Sequence, residues 1–127
     1  MANILLAEDD VAVREFVRRA LVHSGHGVTA VDDGLGAVQA LDGVEFDLLI
    51  TDIVMPGMDG IALALKMSKE RPKMPILMIT GYAAERQRAH NLDALIHKVI
   101  AKPFTLREIC NAVSETLAHS AGQVSAA

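Results

Sequence analysis

Five side chains able to handle charge or transfer a group punctuate the chain: the adjacent Glu8 and Asp9, then Asp52, the Thr80 hydroxyl and the Lys102 ammonium. Each closes or directly follows a short apolar run: Ile4-Leu5-Leu6-Ala7, Phe46-Asp47-Leu48-Leu49-Ile50, Ile76 to Ile79, and the stretch before Lys102-Pro103. Carboxylates brought together repel, and a hard divalent cation relieves that repulsion. Mg²⁺ suits such a place, because it takes octahedral oxygen ligation, keeps waters, and uses one or two carboxylates beside phosphate oxygens. Carboxylate, cation and ammonium are the parts that hold a phosphoryl group in transfer, where positioning and charge neutralisation do most of the catalysis. Taken singly, each residue has a plainer role. Glu8 and Asp9 could favour the positive end of a following helix, Thr80 could simply end a strand, and Lys102 could snorkel to water.

The elements that would position these groups are legible in the apolar spacing. Val13, Phe16, Val17, Ala20 and Leu21 recur at helical intervals after Asp10, a fitting cap, and Ser24-Gly25-His26-Gly27 ends that helix. Val28 to Val31 reads as a second strand, and a short helix follows over about Leu35 to Leu41. The Phe46 to Ile50 run predicts a third strand ending at Thr51-Asp52. A helix then runs from Asp59 to about Lys69, closed by Arg71-Pro72. Ile76 to Ile79 predicts the fourth strand and Lys98 to Ala101 the fifth, with a thinly apolar helix over Ala83 to Ile96 between them. Leu106, Ile109, Cys110, Val113 and Leu117 form the stripe of a last helix, and the stretch from His119 reads as a frayed tail.

Five strand-helix units predict an α/β fold: a parallel sheet with helices on both faces, in the flavodoxin-like order 2-1-3-4-5. In such sheets ligands bind at the carboxyl ends of the strands, near the switch point between the first and third. That is where Glu8, Asp9, Asp52, Thr80 and Lys102 would meet.

The 127 residues suit one domain, with 51% hydrophobic and 22% charged residues excluding a disordered chain. Only 3% are aromatic and none is Trp, so the core must be aliphatic. Lys and Arg total 12 against 16 Asp and Glu, a net charge of −4, and no basic footprint for nucleic acid stands out. The one cysteine, Cys110, forms no internal disulfide and reads as a buried thiol. No apolar run approaches the ~18 residues of a membrane span, and no secretory leader is evident, so a cytoplasmic setting is expected. The histidines, His23, His26, His90, His97 and His119, are scattered and read as structural or solvated.

With these pieces in place the chain resembles the receiver domain of bacterial two-component response regulators. The likeness is carried by Glu8-Asp9 after the first strand, the segment Leu48 to Gly60 around Asp52 and Met55-Pro56, Ile79-Thr80-Gly81, and Lys102-Pro103-Phe104. It covers about residues 3 to 118. The resemblance implies a receiver domain over 1–118 with a flexible tail over 119–127, and names Asp52 as phosphoacceptor. It places Mg²⁺ on Glu8, Asp9, Asp52 and the backbone carbonyl of Val54. Thr80 becomes a switch hydroxyl and Lys102 a phosphoryl-neutralising ammonium, with a cis bond preceding Pro103. The implied donor is a histidine kinase or histidine phosphotransferase. One departure stands out. Receivers commonly carry an aromatic residue three before the lysine, where this chain has Val99; Tyr82 is a candidate replacement.

Within the family, the runs Ile4 to Asp10 and Leu49 to Pro56, together with Val99, are similar to the CpdR-type single-domain receivers of alphaproteobacteria. That likeness implies a phosphorylation-controlled adaptor for the ClpXP protease, with ClpX as partner and Ser125-Ala126-Ala127 resembling the tails ClpX grips. A phosphorelay intermediate or a motor-binding messenger are the other roles a stand-alone receiver could fill, since only about ten residues follow Leu117. A haloacid-dehalogenase-like phosphatase would also use an aspartyl phosphate, but needs Asp-x-Asp, and Val54 occupies the second position. A flavodoxin-like electron carrier lacks a phosphate loop after the first strand.

Overall fold

The computed structural model describes residues 2–81, 87–88 and 96–126, with side chains through His119. Its elements run β1 (Asn3–Ala7), α1 (Val11–His23), β2 (Gly27–Val31), α2 (Gly34–Leu41), β3 (Leu48–Asp52), α3 (Gly60–Glu70), β4 (Ile76–Thr80), β5 (Lys98–Ala101) and α4 (Leu106–Ala126). The strands form one parallel sheet in the order β2-β1-β3-β4-β5, as the alternation of elements predicts. The sequence-predicted helix over Ala83 to Ile96, Tyr82 and His90 lie largely or wholly outside the described residues.

Two aliphatic layers sandwich the sheet, and the period of two along each strand sorts side chains between them. Leu5, Ala7, Leu49 and Met78 face one way and pack with Ala37 and Leu41 of α2 and Leu63, Ala64 and Met67 of α3. Ile4, Leu6, Leu48, Ile50, Leu77 and Ile79 face the other way, onto Val17 and Leu21 of α1 and Ile109 and Val113 of α4. Burial on both faces explains why β3 and β4 read as unbroken apolar runs.

Helix starts follow from local polar contacts. The Asp10 carboxylate accepts from the N–H groups of Ala12 and Val13, Asp33 caps α2 through Gly36, and Asp59 caps α3 through Ala62. α4 opens on a reciprocal box, with Thr105 N–H donating to Glu108 Oε1 at 2.9 Å and Glu108 N–H to Thr105 Oγ1 at 3.1 Å. Neither the Asp33 cap nor this box is signalled by the apolar spacing of the sequence.

Several expectations need correction. β3 begins at Leu48, two residues later than the apolar run suggests, because the Asp47 carboxylate takes the Asn3 N–H at 2.7 Å in place of a main-chain acceptor. Phe16 and Leu106, read as core-facing, are 41% and 53% exposed; the Phe16 ring instead rests 6.2 Å from that of Phe104. Cys110 is half-buried rather than enclosed. α4 continues to Ala126, past Leu117 where its apolar stripe ends. His26 and His97 have structural work: each precedes an edge strand and accepts a main-chain N–H through Nδ1, from Ala2 at 3.2 Å and Ile76 at 3.0 Å. No described helix is long and apolar enough to cross a membrane.

Candidate functional site

Strand register decides which residues meet. Ala7 lies level with Thr51, so the next residue on each strand, Glu8 and Asp52, emerges at the same edge of the sheet. Asp52 in turn pairs with Ile79, and Thr80 with Ala101. Lys102 follows at once, its N–H donating to the Thr80 carbonyl at 2.7 Å. Carboxylate oxygens of Glu8, Asp9 and Asp52 all lie within 4.8 Å of one another. A cleft of about 540 Å³ opens above them, lined by Asp9, Asp10, Asp52, Val54, Gly81, Lys102 and Pro103. All the sequence-predicted site residues therefore gather at the carboxyl edge of the sheet, and the Lys102–Pro103 bond is cis.

The three carboxylates differ in environment. Glu8 is fully buried, Asp52 is 4% exposed, and Asp9 faces solvent. Lys102 Nζ donates to Asp52 Oδ2 at 2.8 Å and lies 3.0 Å from Glu8 Oε1. The second contact is an ion pair without hydrogen-bond alignment, so both Glu8 oxygens, like the buried Thr80 Oγ1, lack a hydrogen-bond partner. Buried polar atoms left this way are costly, and they point to a ligand that completes them.

The electrostatics carry the same message. Burial, reinforced by the neighbouring Asp52 carboxylate and resisted by Lys102, pushes Glu8 from its ordinary 4.5 up to about 8. Burial pulls Lys102 down, but Asp52 and Glu8 more than offset this, and the ammonium titrates above the usual lysine value. A hard cation meets this donor set well. Oxygen ligands converge, the buried one has neither oxygen hydrogen-bonded, and a single ammonium cannot balance them.

A pH dependence follows. Between pH 4.5 and about 8 the folded chain keeps a proton on Glu8 that the unfolded chain has released. Stability of the metal-free protein therefore falls as pH rises across that window. Glu8→Gln keeps the shape, donates to Asp52 and removes the cost. Thermal melts at pH 8 in chelator should show a gain on the order of 2–4 kcal/mol, shrinking towards zero at pH 4.5. A flat difference across that range would contradict the assigned burial of the Glu8 charge.

The loop after β3 is held by groups that the residue types alone do not reveal. Thr51 Oγ1 donates to the Asp52 carbonyl at 3.0 Å, and Gly60 N–H donates to the Ile53 carbonyl at 2.7 Å. A Cβ on Gly60 would fall 2.0 Å from the Asp52 carbonyl oxygen. Arg88 Nη2 donates to Asp59 Oδ2 at 3.0 Å, while the other oxygen of Asp59 caps α3. Val99 lies on β5 opposite Met78 and is 37% exposed, while Thr80 pairs with Ala101.

A family model described as "Response regulator receiver domain" matches residues 4–114. Among curated proteins, the chain is 43% identical over 117 residues to the "Response regulator receiver protein CpdR" of Brucella abortus, covering 92% of this chain and 98% of that one. It is 36% identical over 122 residues to the transcriptional regulatory protein TctD of Salmonella typhimurium, where it spans 96% of this chain but 54% of the relative. Among solved structures, a CheY-like receiver domain protein from Methanospirillum hungatei superposes with a TM-score of 0.89 at 28% identity, covering 97% of this chain and 98% of that one.

Proposed function

The chain belongs to the response regulator receiver domain family, signalling proteins rather than conventional enzymes, and from that premise we propose that Asp52 is the phosphoacceptor of a Mg²⁺-dependent switch. The observation that carries this reading is Asp52 itself: a nearly buried carboxylate whose oxygen receives Lys102 Nζ at 2.8 Å, beside the orphaned Glu8 oxygens and the exposed Asp9.

Asp52 presents a carboxylate oxygen to the phosphorus of a phosphohistidine on a histidine kinase or phosphotransferase. The new O–P bond forms as the P–N bond breaks, and the imidazole leaves with the electron pair. Lys102 stays beside Asp52 and balances charge on a phosphoryl oxygen. Glu8, Asp9, Asp52 and the Val54 carbonyl would hold Mg²⁺, which when bound supplies positive charge to the phosphoryl oxygens. Thr80 Oγ1, buried and uncommitted, is placed to turn towards the new oxygens. That rotation gives the acyl phosphate a differential contact through which to shift a conformational equilibrium. Water later attacks phosphorus, releasing inorganic phosphate and restoring the carboxylate.

A small-molecule phosphodonor with Mg²⁺ should raise the intact mass by one phosphoryl group, and chelator should suppress the gain. No gain with Mg²⁺ present would refute the reading.

The output in this proposal is a protein contact. Likeness to CpdR over nearly all of that protein favours a cytoplasmic adaptor acting through ClpX over a phosphorelay intermediate or motor-binding messenger. Pull-downs with untreated, Asp52→Ala and beryllofluoride-treated protein should retain ClpX only from the first two. Retention independent of state would argue against the adaptor.

A further inference from the structure

From the geometry around Asp9 we infer that Arg14 is a positioning residue for the cation site, a staple that fixes Glu8 and Asp9 as a ligand pair; this rests on the phosphoacceptor reading above. Arg14 does not touch the cleft. Its side chain instead turns back along α1, and Nη1 donates to the Glu8 carbonyl at 2.8 Å. Its main-chain N–H donates to the Asp10 carbonyl at 2.9 Å. One residue therefore grips the chain on both sides of Asp9.

The surrounding contacts show why such a grip matters. Glu8 N–H is held by the Val31 carbonyl at 3.1 Å, at the end of β2. The Asp10 side chain is committed to capping α1 through Ala12 and Val13. Arg14 adds a further hold on the same turn, at the Glu8 carbonyl. Glu8 is buried with both carboxylate oxygens lacking hydrogen-bond partners. Lys102 Nζ, 3.0 Å from Oε1, attracts that carboxylate without fixing it by a hydrogen bond, so its direction depends on the backbone that carries it. Asp9 faces solvent and has an open choice of direction unless the turn beneath it is rigid. A half-buried guanidinium on a main-chain carbonyl is a strong, charge-assisted way to impose that rigidity. Outer partners of this kind orient ligands and commonly set metal affinity.

Plain electrostatics and the staple predict opposite signs, which makes the test decisive. Removing a positive charge near a cation site should tighten cation binding by Coulomb attraction alone. Removing the staple should weaken it. The probe is Mg²⁺ itself, titrated into full-length protein and followed by amide chemical shifts, with amide hydrogen exchange at Asp9 and Asp10 measured in metal-free protein.

Arg14→Gln is expected to bind Mg²⁺ roughly tenfold more weakly, with faster metal-free exchange at Asp9. Arg14→Lys, which keeps the charge and a donor, should regain part of both. Arg19→Gln, removing an equal charge from an exposed position on the same helix, should leave both unchanged. Unchanged or tighter Mg²⁺ binding by a folded Arg14→Gln protein overturns the inference. Failure of the unsubstituted protein to bind Mg²⁺ overturns the underlying reading instead.

Discussion

Asp52→Ala is expected to take no phosphate from a small-molecule phosphodonor, and yet to melt at or above the temperature of the unsubstituted protein. The first half follows from position: Asp52 is the carboxylate that receives Lys102 at 2.8 Å and sits beside both other acids. The second half follows from charge. Removing one member of a buried ion pair usually destabilises, because its partner is left uncompensated. Here Lys102 is not abandoned, since Glu8 Oε1 lies 3.0 Å away. The substitution instead removes the like charge that helps to raise Glu8 to about 8, leaving one acid for one ammonium. Intact mass after phosphodonor treatment and thermal melts in chelator at pH 8 check the two halves separately. Phosphate retained by Asp52→Ala would place the acceptor elsewhere, and a large loss of stability would show that the Asp52–Lys102 pair outweighs the carboxylate repulsion.

Gly60→Ala should be damaging out of proportion to one methyl group. An added Cβ would meet the Asp52 carbonyl oxygen at 2.0 Å, its carbon at 2.9 Å and the Ile53 Cα at 3.0 Å, all of them backbone atoms. No side chain can rotate away. Either α3 lifts from the sheet, or the end of β3 tilts and carries the Asp52 carboxylate with it. Overpacking of this kind costs about 1–3 kcal/mol. A displacement near 1 Å at a reacting group can slow chemistry by roughly 10²-fold. Denaturant unfolding and the rate of phosphate uptake should both fall. Gly57→Ala is the control. Gly57 has φ +76° but nothing within 4 Å of an added Cβ, so its cost is the ~1–2 kcal/mol of a left-handed backbone, with a much smaller change in rate. Equal rate losses in the two variants would mean that general loop strain, rather than contact with Asp52, sets the rate.

Chemistry and pattern coincide in this chain, so much of the fold and of the candidate site is legible in its residue types. Strands buried on both faces appear as continuous apolar runs, so β1, β3 and β4 stand out, and their polar terminators, Glu8-Asp9, Asp52 and Thr80, stand out with them. Caps were legible where an acid directly precedes a helical stripe, as at Asp10. Phe16 and Leu106 misled because a stripe at helical spacing says which face of a helix is apolar and not where the neighbouring element stops covering it. Both lie at the rim. Asp47 misled because its side chain replaces a main-chain acceptor, a substitution that an alternating pattern does not register.

The amino-acid order by itself determined the kind of elements, their succession, and therefore the parallel sheet with its reactive groups at one edge, because periods of two and 3.6 residues are local properties of the chain. Only the tertiary structure decided that Glu8 is buried while the adjacent Asp9 faces water, that one ammonium reaches two acids, that Gly60 presses on the Asp52 carbonyl, and that Arg14 folds back onto Glu8. Each of these depends on atoms brought to within a few ångströms by strand register and helix docking, and such distances are set by the packing of the whole core rather than by the spacing of residues along the chain.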